Sequence, residues 1–306
     1  MNYLVTGAAG FIGAAVAERL IKAGNTVTTI DNLLTGYTEH IPDGVKFIEG
    51  STFDASIVSK LEKESFDAIL HIAGQSSGEI SFENPVYDLQ TNAQSTVLLL
   101  NLARKIACKK FIYASTMSVY GDQNPPMCSE DTELKPKSFY AVGKIASENY
   151  MRIYSEQFGI ACTALRLFNT YGPGQNMKNL KQGMVSIYLA MALQEHKITV
   201  KGSKDRFRDF VYIDDIVDAF VRSIERKAGY DVFNVCTSEK TTVESVVDII
   251  RGNLSFNVDV SYIDGTLGDQ FGIVGDNKKI RETLNWNAKT DFMSGVKRMV
   301  MWAREA

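Results

Sequence analysis

Tyr140 and Lys144 stand four residues apart in the stretch SFYAVGK. In a helix that spacing stacks a phenol and an ammonium on one face. Taken alone, such a pair is ordinarily a solvated helix face, so its meaning depends on what surrounds it. A second stretch makes a sharper chemical claim. VTGAAGFIG places Gly7, Gly10 and Gly13 between a strand pattern and a helix pattern. The G-x-x-G-x-x-G spacing permits a tight turn, close approach of the backbone to a diphosphate, and a helix N-terminus aimed at negative charge. Asp31 closes the next strand pattern, TVTTID. A carboxylate there can accept hydrogen bonds from an adenosine ribose and would repel a 2′-phosphate, which favours NAD over NADP. The alternative is that Asp31-Asn32 only starts a turn.

The elements that must position these residues follow from periodicity. YLVTG, TVTTID, VKFIEG, DAILHIAG, KKFIYAST and CTALRLFN are short apolar runs rich in Val, Ile, Phe and Thr, and they predict buried strands. Amphipathic segments lie between several of them, such as FIGAAVAERLIKAG, whose Gly24 falls where a helix C-cap belongs. This alternation predicts an α/β fold: a Rossmann-like, doubly wound parallel sheet covered by helices on both faces. Residues 1–170 are expected to form that domain, with 212–238 packing back on it. After about residue 170 the rhythm loosens into the Gly- and Asn-rich NTYGPGQNMKNLKQG. Residues 171–306 are expected to form mainly a smaller substrate-binding lobe over the C-terminal edge of the sheet. Asp214 and Asp215 in IDDIVDAF read as helix-capping acids.

Composition removes several function classes. The chain has 306 residues, is 45% hydrophobic and 23% charged, and carries a formal net charge of -3 without a basic cluster. Nucleic acid is therefore not the expected partner. No apolar run reaches the about 18 residues a membrane helix needs, and MNYLVTGAAG lacks the cationic start of a secretory signal. A cytoplasmic protein without membrane contact is expected. Cys108, Cys128, Cys162 and Cys236 are scattered and read as reduced thiols. His40, His71 and His196 lie far apart, so neither a metal site nor a Ser-His-Asp triad is expected.

TGAAGFIG, IDN, YAST, SFYAVGK and RLFNTYGPG, in that order, resemble the extended short-chain dehydrogenase/reductase family, in particular its NAD-dependent nucleotide-sugar epimerases and dehydratases. The resemblance covers essentially the whole chain. It implies NAD as cofactor and makes Tyr140 and Lys144 catalytic. Taking a proton from a sugar hydroxyl calls for a base titrating near neutrality, whereas a free tyrosine titrates at ~10. An adjacent cation lowers an acid by about 1–3 units. Lys144 and the positive nicotinamide ring would together supply that fall, and Lys144 would also bind the nicotinamide ribose. The family pattern S-S/T-x-x-V-Y-G puts the third catalytic hydroxyl on Thr116, flanked by Ser115 and Ser118; a strand threonine that merely packs is the alternative. The resemblance adds Phe11, Ile12, Asn32, Ala73, Gly74, Asn92 and Ser115 to the glycines and Asp31 as cofactor contacts. It assigns Thr116, Ser118, Asn169 and Arg208 to the substrate, a nucleoside-diphosphate sugar with UDP-hexose as the first expectation.

The sequence departs from the family pattern at informative places. Where 4,6-dehydratases carry Asp-Glu after the catalytic hydroxyl, this chain has Met117-Ser118, and neither can serve in eliminating water. The gap favours C4 epimerisation: oxidation, rotation of the keto sugar, and reduction from the other face; a UDP-glucose or UDP-galactose type of substrate is what the resemblance implies. A C4 dehydrogenase or reductase, and a non-catalytic NAD-binding redox sensor, are the other readings. Thr266 replaces a second phosphate-binding arginine, and Ser51 in GSTFD replaces an acid that reads adenine. Ile273, counted from Gly268-Asp269, would set pocket width and admit bulky C2 substituents. Segments near 84–106 and 138–157 resemble helices that pair as a four-helix bundle, which implies a homodimer.

Overall fold

The computed structural model of the chain describes residues 1–180, 183–265 and 271–305. Thr266, Gly268 and Asp269 lie outside the described residues. The chain divides into two units, one of Met1–Val119, Pro136–Arg166 and Val217–Phe233, the other of Tyr120–Lys135, Leu167–Ile216 and Asn234–Ala306. It passes from one to the other several times, with Val217–Phe233 returning to the first.

The first unit is built on a seven-stranded sheet. Its strands are β1 (Asn2–Thr6), β2 (Thr26–Asp31), β3 (Lys46–Glu49), β4 (Ala68–His71), β5 (Lys110–Thr116), β6 (Ala161–Leu167) and β7 (Tyr230–Val235). They lie in the order β7-β6-β5-β4-β1-β2-β3. β1 pairs in parallel with β2 and β4, as do β2 with β3 and β4 with β5. Strands of such a sheet are covered on both faces, and every residue of β4 and β6 is buried. The order reverses between β1 and β4. In an open α/β sheet that reversal leaves a crevice at the strands' carboxyl ends.

Helical spacing explains how the sheet is covered. The Phe11–Lys22 helix buries Gly13, Val16, Ala17 and Leu20, spaced three and four residues apart. Gly24 ends it at φ +78°, and its N–H donates to the Ile21 carbonyl at 2.8 Å. One core cluster joins Leu4, Ile30, Ile69 and Phe111 of the strands to Leu99, Leu102 and Met151 of the helices.

The second unit uses short strand pairs: Asn169–Tyr171 parallel to Phe210–Tyr212, Lys197–Lys201 parallel to Asp259–Ile263, and Phe207–Arg208 antiparallel to Thr241–Thr242. The fully buried Trp286 donates Nε1–H to the Asp215 carbonyl at 2.9 Å. Asp215 itself does not cap a helix, contrary to expectation. The helix Ile213–Ser223 begins before it, and its carboxylate accepts the N–H groups of Lys289 and Thr290 at 2.9 and 3.1 Å.

Candidate active site

The glycine turn after β1 is shaped by close contacts. Gly7 has φ +81°, and a Cβ there would stand 2.9 Å from the backbone N and Cα of Ala73, just past β4. A Cβ on Gly13 would collide with the Gly7 carbonyl. The following helix starts from Gly10 with no side-chain cap, and Phe11 and Ile12 form its first turn. Its first N–H groups therefore remain for an anion. Asp31 is pinned against this turn: its Oδ2 accepts Ala9 N–H at 3.0 Å and its Oδ1 accepts Leu33 N–H at 2.9 Å. Ser51, the departure noted above, accepts a hydrogen bond from Asn32 Nδ2 at 3.1 Å.

Tyr140 and Lys144 lie on the Phe139–Phe158 helix. Ser138 caps it by accepting Ala141 N–H at 3.2 Å, and Gly159 ends it at φ +65°. Its inward face carries Tyr140, Lys144, Ser147, Glu148, Met151 and Ser155. This is no solvated face, because Tyr140 is 8% exposed and Lys144 3%. Polar groups buried this way need partners. Ser147 Oγ donates to the Asn92 carbonyl at 2.9 Å, in a π turn spanning Gln90–Gln94. Glu148 takes a two-pronged ion pair from Arg166, at 3.0 Å from Nε and 2.7 Å from the guanidinium NH2. Ser115 Oγ also donates to Glu148, at 2.5 Å, so this proposed cofactor contact commits its hydroxyl to the protein.

Around Lys144 the groups close into one cluster. Nζ donates to the Ala114 carbonyl at 2.9 Å and lies 4.6 Å from the Tyr113 ring centre and 5.6 Å from that of Tyr140. Thr116, at the end of β5, donates from Oγ1 to Ser118 Oγ at 3.2 Å, while Ser118 N–H donates back to Thr116 Oγ1 at 3.2 Å. Burial pushes the Tyr140 phenol up to about 12, with neighbouring Thr116 pulling the other way and nearby Asp88 pushing it further up. Burial also pulls Lys144 down to about 7, against the attraction of Asp88 and Glu148. The expected lowering of the phenol by Lys144 is thus not the dominant effect in the protein alone; desolvation is.

Asn92 presents the most telling polar atom of the site. Its Nδ2 donates to the Gln75 carbonyl at 3.0 Å and to Asp88 Oδ1 at 3.2 Å, but its Oδ1 is buried without a hydrogen-bond partner. A Cβ on Gly74 would stand 2.7 Å from that oxygen and 3.5 Å from Lys144 Nζ. An acceptor and an ammonium therefore face the same bare glycine, a pairing suited to the hydroxyls of a ribose. With the glycine turn and Asp31, the residues present fit NAD. The sequence reading missed Asp88, Gln75, Glu148 and Arg166. Asp88 and Glu148 each lie four residues from a residue already singled out, Asn92 and Lys144, and helical spacing could have flagged them.

The second unit holds the remaining candidates. Asn169 donates its N–H and Nδ2–H to the Asp209 carbonyl at 3.1 and 3.3 Å. Arg208 is buried. It donates to the carbonyls of Phe207 and Phe271 at 2.8 and 3.3 Å, and burial with neighbouring Arg206 pulls its pKa down to about 10. Ile273 is fully buried and presents no exposed surface to act as a pocket wall. Among the described residues, no three His, Cys, Asp or Glu side chains gather as a metal site, and no helix is long and apolar enough to cross a membrane.

Comparison with known proteins adds a family to this geometry. Residues 3–236 match the model of the NAD dependent epimerase/dehydratase family. The UDP-glucose 4-epimerase of Mycolicibacterium smegmatis is 32% identical over 310 residues, covering 99% of each chain. The UDP-glucuronate 4-epimerase of Thermodesulfobacterium geofontis is 30% identical, over 99% of this chain and 96% of its own. The crystal structure of UDP-glucose 4-epimerase with UDP-glucose from Thermotoga maritima superposes with a TM-score of 0.96 at 31% identity, covering 100% of this chain and 99% of the other. The Thermus thermophilus UDP-glucose 4-epimerase in complex with NAD does so with a TM-score of 0.93 at 30% identity, covering 100% of both.

Proposed function

Because this chain belongs to the NAD dependent epimerase/dehydratase family, we propose that it inverts C4 of a nucleoside-diphosphate hexose of the UDP-glucose/UDP-galactose type. NAD is the cofactor, and when bound it would supply a hydride acceptor and donor for C4. In this reading Tyr140 accepts the proton of the C4 hydroxyl and Thr116 hydrogen-bonds the same oxygen. Lys144 and Asn92 hold the nicotinamide ribose, Asp31 holds the adenosine ribose, and the Gly7–Gly13 turn admits the diphosphate. Arg208 and Asn169 are the proposed contacts to the sugar diphosphate; a buried arginine suits phosphate because its planar fork donates paired hydrogen bonds.

The observation that carries the reaction class is the buried cluster of Thr116, Tyr140 and Lys144 with Met117-Ser118 beside it. It can move one proton at a hydroxyl, and neither Met117 nor Ser118 supplies a carboxyl group for eliminating water. The decisive experiment presents UDP-, GDP-, CDP- and dTDP-hexoses and identifies products by NMR. An equilibrium mixture of C4 epimers from a UDP-hexose, without added cofactor, is expected. A 4-keto-6-deoxy sugar would refute the reading, and free 4-keto sugar with stoichiometric NADH would favour a dehydrogenase.

A second copy of the chain is the proposed partner. Phe82, Val86, Leu89, Phe139, Val142 and Ile153 are exposed on or beside the Pro85–Leu89 and Phe139–Phe158 helices, and the Phe82 and Phe139 rings meet at 5.4 Å. An apolar face of this kind favours burial against a like face. Sedimentation should show a dimer that Val142→Glu dissociates; a wild-type monomer would contradict this.

A further inference from the structure

The first unit buries a carboxylate to which the reaction just proposed gives no task. Asp88 is 1% exposed on the short Pro85–Leu89 helix. Its Oδ1 accepts Gln75 Nε2–H at 2.8 Å and Asn92 Nδ2–H at 3.2 Å. The Phe139–Phe158 helix presses on it from the other side: a Cβ on Gly143 would stand 3.4 Å from Asp88 Oδ2 and 3.3 Å from Asn92 Cβ. Lys144 follows Gly143 directly. Gly74 completes the group, since the Asn92 oxygen without a partner and Lys144 Nζ both face its Cα.

Two physical consequences follow. An ionised carboxylate only accepts hydrogen bonds, so Asp88, together with the Gln75 carbonyl that accepts from the same Nδ2 at 3.0 Å, makes Asn92 turn its Nδ2 inward and its Oδ1 away. An ammonium buried as deeply as Lys144 loses its proton easily unless an opposite charge stands near. The titratable groups that face Lys144 are few. Glu148, on its own helix, is engaged by Arg166 and Ser115. His71 on β4 is held neutral by burial, between Thr6 at 2.9 Å and Ser95 at 3.0 Å. Tyr113 on β5 and Tyr140 on its own helix offer ring faces, and burial keeps both phenols protonated. Asp88 is bonded by two neutral amides, and it is the stronger of the two carboxylate attractions on Lys144.

We propose that Asp88 is a positioning residue with two effects on one site: it turns the Asn92 amide so that Oδ1 faces Gly74, and it is the counter-charge that keeps Lys144 an ammonium. The proposal rests on the reading that Asn92 and Lys144 hold the cofactor ribose. The same charge opposes ionisation of Tyr140, so any benefit to the phenol passes through Lys144.

The test labels lysine Cε with 13C and follows the Lys144 resonance, identified by its loss in Lys144→Arg, as pH is varied with and without added NAD. Asp88→Asn keeps an acceptor oxygen and the side-chain shape while removing the charge. Its Lys144 midpoint should fall by about one pH unit or more, while NAD affinity holds within about threefold. Asp88→Ala loses the acceptor as well, and NAD affinity should drop about tenfold or more. If Asp88→Ala does not fold, Asp88→Ser takes its place. An unchanged Lys144 midpoint in Asp88→Asn would overturn the counter-charge, and undiminished NAD affinity in the alanine or serine variant would overturn the orienting effect. Neither readout uses sugar turnover. A wrong sugar or reaction would leave both intact, whereas a wild-type protein that fails to bind NAD would refute the underlying reading instead.

Discussion

Replacing Glu148 by glutamine removes one charge from the buried anchor under the proposed catalytic helix. Glu148 and Arg166 are each 4% exposed, and the carboxylate accepts two hydrogen bonds from the guanidinium and one from Ser115. A glutamine amide keeps one acceptor oxygen but turns an NH2 group toward the second guanidinium prong. Hydrogen bonds to charged groups contribute about 1.5–3 kcal/mol each, and breaking a buried pair costs about 3–5 kcal/mol. With one acceptor retained, about 3 kcal/mol is expected, a large share of the roughly 5–15 kcal/mol that stabilises a typical domain. Fluorescence is the wrong probe, because Trp286 and Trp302 both lie in the second unit. Hydrogen exchange of peptides from 139–158 reads the anchor directly, and about 3 kcal/mol corresponds to about 100-fold faster exchange. Glu148→Leu combined with Arg166→Met removes both charges and should restore most of the protection. If exchange in Glu148→Gln stayed within about threefold of wild type, the anchor would be far weaker than its geometry indicates.

Tyr140→Phe should lower turnover by ~10²–10⁴ while NAD binding persists, and near-normal turnover would remove Tyr140 from the base role. Asp31→Ser should weaken NAD and strengthen NADP in paired titrations; a wild type that binds both equally would contradict the reading of Asp31. Burial lowers His71 to about 3 in the folded chain from an ordinary 6.5. The unfolded chain therefore binds this proton first, and the stability it contributes is complete above about 6.5 and is lost as pH falls toward 3, at about 1.4 kcal/mol per unit. Urea unfolding of wild type and His71→Gln across that window should show the steeper acid loss in wild type, and parallel curves would contradict it.

Much of the scaffold was legible because its signals are local. Each of the six strand patterns lies on a strand of the sheet, and Gly24 follows the end of the first helix at positive φ. The spacing of Tyr140 and Lys144 was equally plain, but its electrostatics were not. Whether Lys144 lowers the phenol depends on how far both are desolvated, and burial comes from packing that no seven-residue window contains. The anchor was hidden for a related reason, since Ser115, Glu148 and Arg166 belong to different elements and meet only in the folded sheet. Asp215 looked like a cap because the loop that satisfies it lies more than seventy residues away. Ile273 was placed by counting through a loop, and its full burial could not be seen that way.

The central claim, that C4 is oxidised and then reduced by the same hydride, is tested most directly with UDP-glucose deuterated at C4. Incubated in ordinary water without added cofactor, the protein should yield a C4 epimer that keeps the deuterium at C4, with no NADH left over. Hydrogen from solvent at C4 of the product, or stoichiometric NADH with free 4-keto sugar, would contradict the account.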